Sequence, residues 1–369
     1  MNKSLIDIKI LPLGGLTFKP PTPFAAGVHG PGSYGTSLSY PPPSTISGML
    51  SGIAYNRHKC ADLDTITDLH VSEPFADTIL CLKNLLGERF KLYTGFLSKD
   101  DDIYAYINKD VFPRLDTICP GKNILKTDNM IKAVKHRLTG ISLDRRSKNV
   151  NESMLYSIER VSYTPQSHIT IIAETEDHGI MVKDSSNSIV KLGSKTGIGK
   201  IEVTQDKGVD YRIIEPGDYC GVLVSPAIIE ENPFNTGTVI VSNKKVAEKL
   251  MQSLIKDSEI KGSGYIVEVP KGEYEFSVYN VGWSLKFNKP RPPKLIIPPG
   301  TRFYINIEHE TELLFINKYS RYLAGLGAWN RLGWGTTILC KVEKGEDCEN
   351  PRCCILNKLD RNLDSSIIF

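Results

Sequence analysis

Residues 321–339 read RYLAGLGAWNRLGWGTTIL. Two Gly-x-Gly pairs, Gly325/Gly327 and Gly333/Gly335, bracket the bulky insert Ala328-Trp329-Asn330-Arg331-Leu332. Glycine accepts positive φ and lets another backbone come close, so paired glycines at this spacing predict a turn whose amides face a partner. Trp329, Arg331 and Trp334 add π-faces and a cation, the chemistry that holds single-stranded nucleic acid. The same residues read equally as a glycine-rich hairpin feeding a strand at Thr336–Leu339. The stretch alone leaves both readings open.

Spacing removes the common nucleotide and metal motifs. A dinucleotide fingerprint begun at Gly325 needs a third glycine where Asn330 stands, and KLGSKTGIGK at 191–200 misses the phosphate-loop register because Ser194 replaces its first glycine. His309-Glu310 has Leu313 where a zinc protease has its second histidine.

Outward from the glycine stretch, the chain alternates strands with two amphipathic helices. Ile6, Ile8 and Ile10 repeat at period two against Asp7 and Lys9, a half-buried strand. A proline- and glycine-rich loop follows, holding His29, Ser33 and Tyr34, which reads either as an ordered loop or as a set of amides for phosphate. After Pro41–Pro43, Ser44 or Thr45 is expected to cap a helix carrying Ile46, Met49, Leu50, Ile53 and Ala54 on one face. Its N-terminus points back at the loop, a plausible anion site, and Arg57, His58 and Lys59 complement its C-terminal dipole. Strands are predicted at Asp77–Lys83 and Phe90–Phe96, with the acidic run Asp100–Asp102 as a solvated turn.

The strongest basic cluster lies within 131–150, where Lys132, Lys135, Arg137, Arg145, Arg146 and Lys148 face a single acid, Asp144. The flanking segments read as two strands with a polar tip, so the charge sits on a projecting hairpin at about 131–163. A second helix is expected from Ser242 to about Lys256. Strands flanking one helix in each half predict two α+β units, 1–225 and 226–369.

With 369 residues, 40% hydrophobic and 24% charged, the chain can build two cores. No apolar run reaches the roughly 18 residues of a membrane span, and the expectation is a cytoplasmic protein. A net charge of +3 makes any nucleic-acid surface a matter of local clustering. The eight cysteines contain no C-x-x-C pair, so free structural thiols are expected, with a metal clip or disulfide in the tail (Cys340, Cys348, Cys353, Cys354) as the alternative.

The pattern G-x-G-x5-G-x-G at 325–335 resembles the glycine-rich loop of the RAMP superfamily of CRISPR-associated RNA-binding proteins. Three further segments, in order, resemble the family of third subunits of the type III-B Cmr effector complex: YPPPSTISGML at 40–50, TGISLDRRSKNVNESMLYSIERV at 139–161 and VGWSLKFNKPRPPKLIIPPGTRFY at 281–304. The resemblance implies two ferredoxin-like (RRM-like, βαββαβ) domains with a glycine-rich loop at 321–339 and a projecting, thumb-like β-hairpin. It implies a non-catalytic RNA-binding subunit that holds the 5′ tag of the CRISPR RNA. The implied partners are target RNA, met indirectly, the large polymerase-like subunit and the first backbone subunit; no cofactor and no metal are implied. The residues expected at RNA are Gly325, Gly327, Asn330, Arg331, Gly333, Ser44, Thr45 and Arg57 for phosphate or sugar, Tyr34, Trp329 and Trp334 for stacking, and Arg137, Arg145, Arg146 and Lys148 on the hairpin. The rival expectations are an endoribonuclease that processes CRISPR RNA, with His58 or His29 as acid–base group, and metal-assisted cleavage at Asp144 or Asp100–Asp102.

Overall fold

The computed structural model describes residues 3–342 apart from 21–33, 59, 61–62, 69–72, 108, 119–129, 144–149, 177–185, 194–196, 206–207, 231–243, 272, 274–275 and 285. The first half begins with strands β1 (Lys3–Pro12) and β2 (Tyr34–Gly35), then helices α1 (Pro43–His58) and α2 (Ala76–Leu86). Strands β3 (Lys91–Lys99), β4 (Asp102–Ala105), β5 (Val111–Pro113), β6 (Met130–Leu143), β7 (Val150–Tyr163), β8 (His168–Glu176), β9 (Ile189–Lys191) and β10 (Ile198–Gln205) follow. The main sheet has the order β4-β3-β8-β1-β10-β9 with antiparallel neighbours. Period-two alternation in β1 puts Ile6, Ile8 and Ile10 at 0% exposure, in one core with Ile46 and Leu50 of α1 and Leu82 and Leu85 of α2.

Residues 77–83, expected as a strand, lie instead in α2. Thr78, Cys81, Leu82, Leu85 and Leu86 recur at three- and four-residue steps on its buried face, and packing on α1 selects the helical period over the short apolar run. A Cys60–Cys81 disulfide staples α2 to the segment after α1, which corrects the expectation of free thiols there, and Cys340 is also disulfide-bonded, in line with the alternative of a disulfide in the tail. Cys348, Cys353 and Cys354 lie outside the described residues.

The second half contains β11 (Val209–Ile214), β12 (Gly217–Leu223), β13 (Ala227–Ile229), helix α3 (Lys244–Lys256) and β14 (Gly262–Glu268). Then come β15 (Ser277–Asn280), β16 (Trp283–Ser284), β17 (Lys289–Pro290), β18 (Pro293–Ile297), β19 (Arg302–Ile307), β20 (Thr311–Ile316), β21 (Arg321–Gly325) and β22 (Thr336–Lys341). Its seven-stranded sheet runs β11-β20-β21-β22-β12-β19-β14. Ala247, Leu250, Met251 and Leu254 of α3 pack on one face with Phe303, Ile305 and Leu339. A third cluster joins the two sheets, uniting Tyr93, Phe96 and Ile172 of the first with Val224, Leu314, Leu323 and Ile338 of the second. Covered on both sides, β3 is buried over eight of its nine residues. Strands β11 and β12 both belong to the seven-stranded sheet.

Candidate nucleic-acid interface

The glycine stretch forms the β21–β22 connection, with Gly325 opposite Thr336 as the last pair. Six of its amides, those of Leu326, Gly327, Ala328, Leu332, Gly333 and Gly335, are bonded within the chain. Leu326 N donates to Gly335 O at 2.9 Å, Gly327 N to Leu254 O at 2.8 Å, Ala328 N to Ile228 O at 2.9 Å and Gly335 N to Pro226 O at 2.8 Å. Leu332 N and Gly333 N close turns on Trp329 O and Asn330 O, both at 2.9 Å. Gly327 (φ +76) and Gly333 (φ +87) are needed for conformation and for clearance, since a Cβ on either would strike Ile228 O or Thr94 Cγ2. The expected row of phosphate-facing amides is therefore corrected: these glycines knit the loop to α3, β13 and β3.

The side chains of the loop divide by burial. Trp334, at 2% exposure, packs against Phe75 at 6.1 Å and has no free face for a base, which corrects its expected stacking role. Trp329 is partly buried, 5.5 Å from the same Phe75. Asn330 Nδ2 donates to Asp257 O at 2.9 Å and to Gly327 O at 3.1 Å. Arg331 lies 4.3 Å over Phe90 and donates from Nη2 to Glu88 O at 3.0 Å. Burial disfavours its charge, with Glu88 opposing, and Arg331 Nε and the indole N–H groups of Trp329 and Trp334 are buried without an acceptor.

Helix α1 starts one residue ahead of the expected caps. Pro43 opens it, and Thr45 N and Ile46 N both donate to Pro42 O, so Ser44 and Thr45 occupy the first turn. Gly282 packs on Ser44 Cβ, which covers that side of the turn. The helix start and the glycine loop do converge, but through protein. Phe75 touches both loop tryptophans and lies 5.1 Å from the Arg291 guanidinium, while Arg291 N donates to Gly282 O at 2.9 Å. Sequence reading did not single out Phe75, Asp77, Arg291 or the half-exposed Trp283 beside Gly282. The one available signal was an arginine set among prolines in KPRPP.

The basic hairpin is present as β6 and β7, paired antiparallel from Ala133↔Tyr163 outward. Arg137 is exposed and stands opposite Glu159. Strand β5 meets β6 only at 130–132 and β2 meets β7 only at 157–158, with Tyr34 opposite Ser157, so beyond them the described arm is two strands alone. Lys135 is withdrawn from the basic face. Its Nζ sits 2.5 Å from Glu273 and 3.4 Å from Asp110, and Ser39 N and Oγ also bind Glu273, which anchors the hairpin base. Arg145, Arg146, Lys148 and Asp144 at the tip lie outside the described residues, as do His29 and Ser33 and the side chains of Tyr34, Arg57 and His58. In the acidic turn, Asp102 is held by Lys318 at 2.8 Å and Tyr319 at 3.0 Å.

A family model described as CRISPR-associated protein (Cas_Cmr3) matches residues 98–342. The chain is similar to the protein of Saccharolobus solfataricus (strain ATCC 35092 / DSM 1617 / JCM 11322 / P2) described as CRISPR system CMR subunit Cmr3. They are 28% identical over 216 residues, which are 56% of this chain and 66% of that protein, just under two thirds of its length. One chain of the cryo-EM structure of the type III-B Cmr-beta bound to cognate target RNA and AMPPnP superposes with a TM-score of 0.50 at 18% identity. The match covers 82% of this chain and 86% of the other, a likeness of fold.

Proposed function

Since the chain belongs to the Cas_Cmr3 family of CRISPR-associated proteins, we propose that it is an RNA-binding, non-catalytic subunit of a type III-B RNA-guided effector complex. In this reading it holds the 5′ tag of the CRISPR RNA, meets target RNA indirectly, and bridges the large polymerase-like subunit to the first backbone subunit. Strand order supports a ferredoxin-like core in each half. The orders β3-β8-β1-β10 and β14-β19-β12-β22 each repeat the arrangement in which the first and third strands of a βαββαβ unit lie centrally. The domain division then falls between β10 and β11.

The observation that carries the RNA reading is the two-stranded arm of β6 and β7, with Arg137 exposed on it and Arg145, Arg146 and Lys148 in its connecting sequence. Cations on a two-stranded arm are placed to meet a backbone of phosphates. The contact set of this reading is Arg137, Arg145, Arg146, Lys148, Tyr34, Arg57, Ser44, Thr45, Trp329, Asn330 and Arg331. Gly325, Gly327 and Gly333 act beneath it by shaping the loop.

The test is to purify the tagged chain with its RNA and sequence the RNA 5′ ends. A uniform repeat-derived tag is expected, and neutralising Arg137, Arg145 and Arg146 should flatten the salt dependence of binding by roughly 0.7 per contact removed. Random 5′ ends would end the tag reading. Metal-independent cutting of repeat RNA, lost in His58→Ala, would instead favour the endoribonuclease.

A further inference from the structure

A polar cleft of about 440 Å³ opens where the two halves meet, lined by Asp102, Arg114, Asp116, Lys318, Ser320 and Arg321. Its acids are already matched. Arg114 grips Asp116 with two bonds, Nε to Oδ1 at 2.9 Å and Nη2 to Oδ2 at 2.8 Å, and reaches Asp102 at 3.4 Å. Lys318 Nζ lies 2.8 Å from Asp102 Oδ1 and donates to Asp101 O at 2.8 Å, while Tyr319 donates to the same carboxylate. Burial opposes the Asp102 charge, but Lys318 and Tyr319 outweigh it and hold the carboxyl below its ordinary value.

Arg321 is the cation left over. It is half-buried, and Nη1 donates to Ser320 O at 3.2 Å. Its Nε is buried without an acceptor, and burial disfavours its charge, with Asp116 opposing. A guanidinium in that condition gains most from a planar, bidentate anion.

We propose that this cleft is a docking point for a single Asp or Glu side chain of a protein partner, received by Arg321. Charge decides between carboxylate and nucleic acid. Of the charged residues that line the cleft, Arg114, Lys318 and Arg321 stand against Asp102 and Asp116, which leaves the charge of Arg321 unmatched. A phosphodiester strand would bring successive negative charges against Asp102 and Asp116, whereas one carboxylate meets Arg321 and completes an existing ion-pair network. The inference rests on the proposal that the chain works inside a multi-subunit complex, and it makes Arg321 a protein-facing residue at the root of β21, the strand that leads into the glycine loop.

The test is arginine footprinting with a phenylglyoxal reagent on the full chain, alone and in the purified complex, with Arg321 modification read by mass spectrometry. Protection of Arg321 on assembly is expected, with none when the isolated chain meets inorganic phosphate or a single-stranded oligoribonucleotide. Arg321→Met should weaken retention of one protein subunit roughly 30-fold or more, the scale of removing one partner from a desolvated charge pair. The melting temperature of the isolated chain should hold, because among the described residues Arg321 makes no ion pair with a carboxylate. Equal modification in both states, protection by phosphate or RNA, or unchanged subunit retention in Arg321→Met would each overturn the docking role. Failure of any complex to assemble around the wild-type chain would instead reject the functional reading on which the inference rests.

Discussion

Arg291 Nη1 donates to Asp77 Oδ1 at 2.7 Å in a site where both side chains are at least nine-tenths buried. The pair joins α2 to the segment between β17 and β18, and the geometry is completed by Arg291 Nη2 to Thr78 Oγ1 at 2.8 Å and Ser284 Oγ to Asp77 Oδ2 at 2.6 Å. Removing one partner leaves an uncompensated buried charge. Arg291→Met is expected to cost about 3–5 kcal/mol, and the double variant Arg291→Met/Asp77→Leu should recover much of it. Urea unfolding of the three proteins checks both halves of the statement. Equal loss in single and double variants would mean that shape, not charge, is what the site requires.

Gly333 should tolerate no side chain. At φ +87 an L-residue is strained, and its Cβ would strike Thr94 Cγ2. Gly333→Val is expected to destabilise by about 2–4 kcal/mol from the two costs together. Gly14→Ala, where the added Cβ meets nothing within 4 Å, should change stability by only about 0.5 kcal/mol. Thermal melts of the two variants provide the comparison. Weaker RNA retention in Gly333→Val with an unchanged melt would restore a direct ligand-facing role to the glycine.

Lys135 gives a pH signature. Burial lowers its ammonium pKa, but Glu273, Asp110 and Glu159 outweigh that and hold it above its ordinary value. The folded pKa is raised, so this stability is fully present below the unfolded value of about 10.4 and is lost as pH rises through the folded one. Lys135→Met should cost about 1–3 kcal/mol at pH 7, because the carboxylates then repel. Stability curves of wild type and variant at pH 7 and above about pH 10 test the sign, the gap between them narrowing at the higher pH. Hydrogen exchange should also quicken at the base of β6, where Glu273 ceases to be anchored.

The Cys60–Cys81 bridge closes a loop of 21 residues in sequence separation. Chain entropy puts its worth at about 3 kcal/mol. Cys60→Ser/Cys81→Ser should melt below the wild type by a margin of that scale, and a phosphine reductant, which also opens the bridge at Cys340, should lower the wild type by at least as much.

Strand β1, the hairpin and helix α3 were legible because each carries its burial as a local period. Ile6, Ile8 and Ile10 alternate, and Leu250, Met251 and Leu254 keep to one helical face whatever lies elsewhere in the chain. Helix α2 was not. ADTILCLKNLL is short, and only its contact with α1 separates a helical from an extended reading. The glycine stretch was legible as a turn and misleading in direction, since the composition of Trp329, Arg331 and Trp334 is the same whether the rings face RNA or Phe75.

By itself the sequence determined the alternating strands, the two helices that begin and end where expected to within two residues, the charged hairpin, and the positions where glycine is obligatory. Those are properties of neighbours a few residues apart, set by backbone sterics and the periods of helix and strand. Only the tertiary structure decided that Arg291 answers Asp77 from 214 positions away, that Gly327 spends its amide on Leu254, and that Arg321 keeps a donor unanswered. Pairing across such separations follows from which surfaces the hydrophobic cores bring together, and no local pattern encodes it.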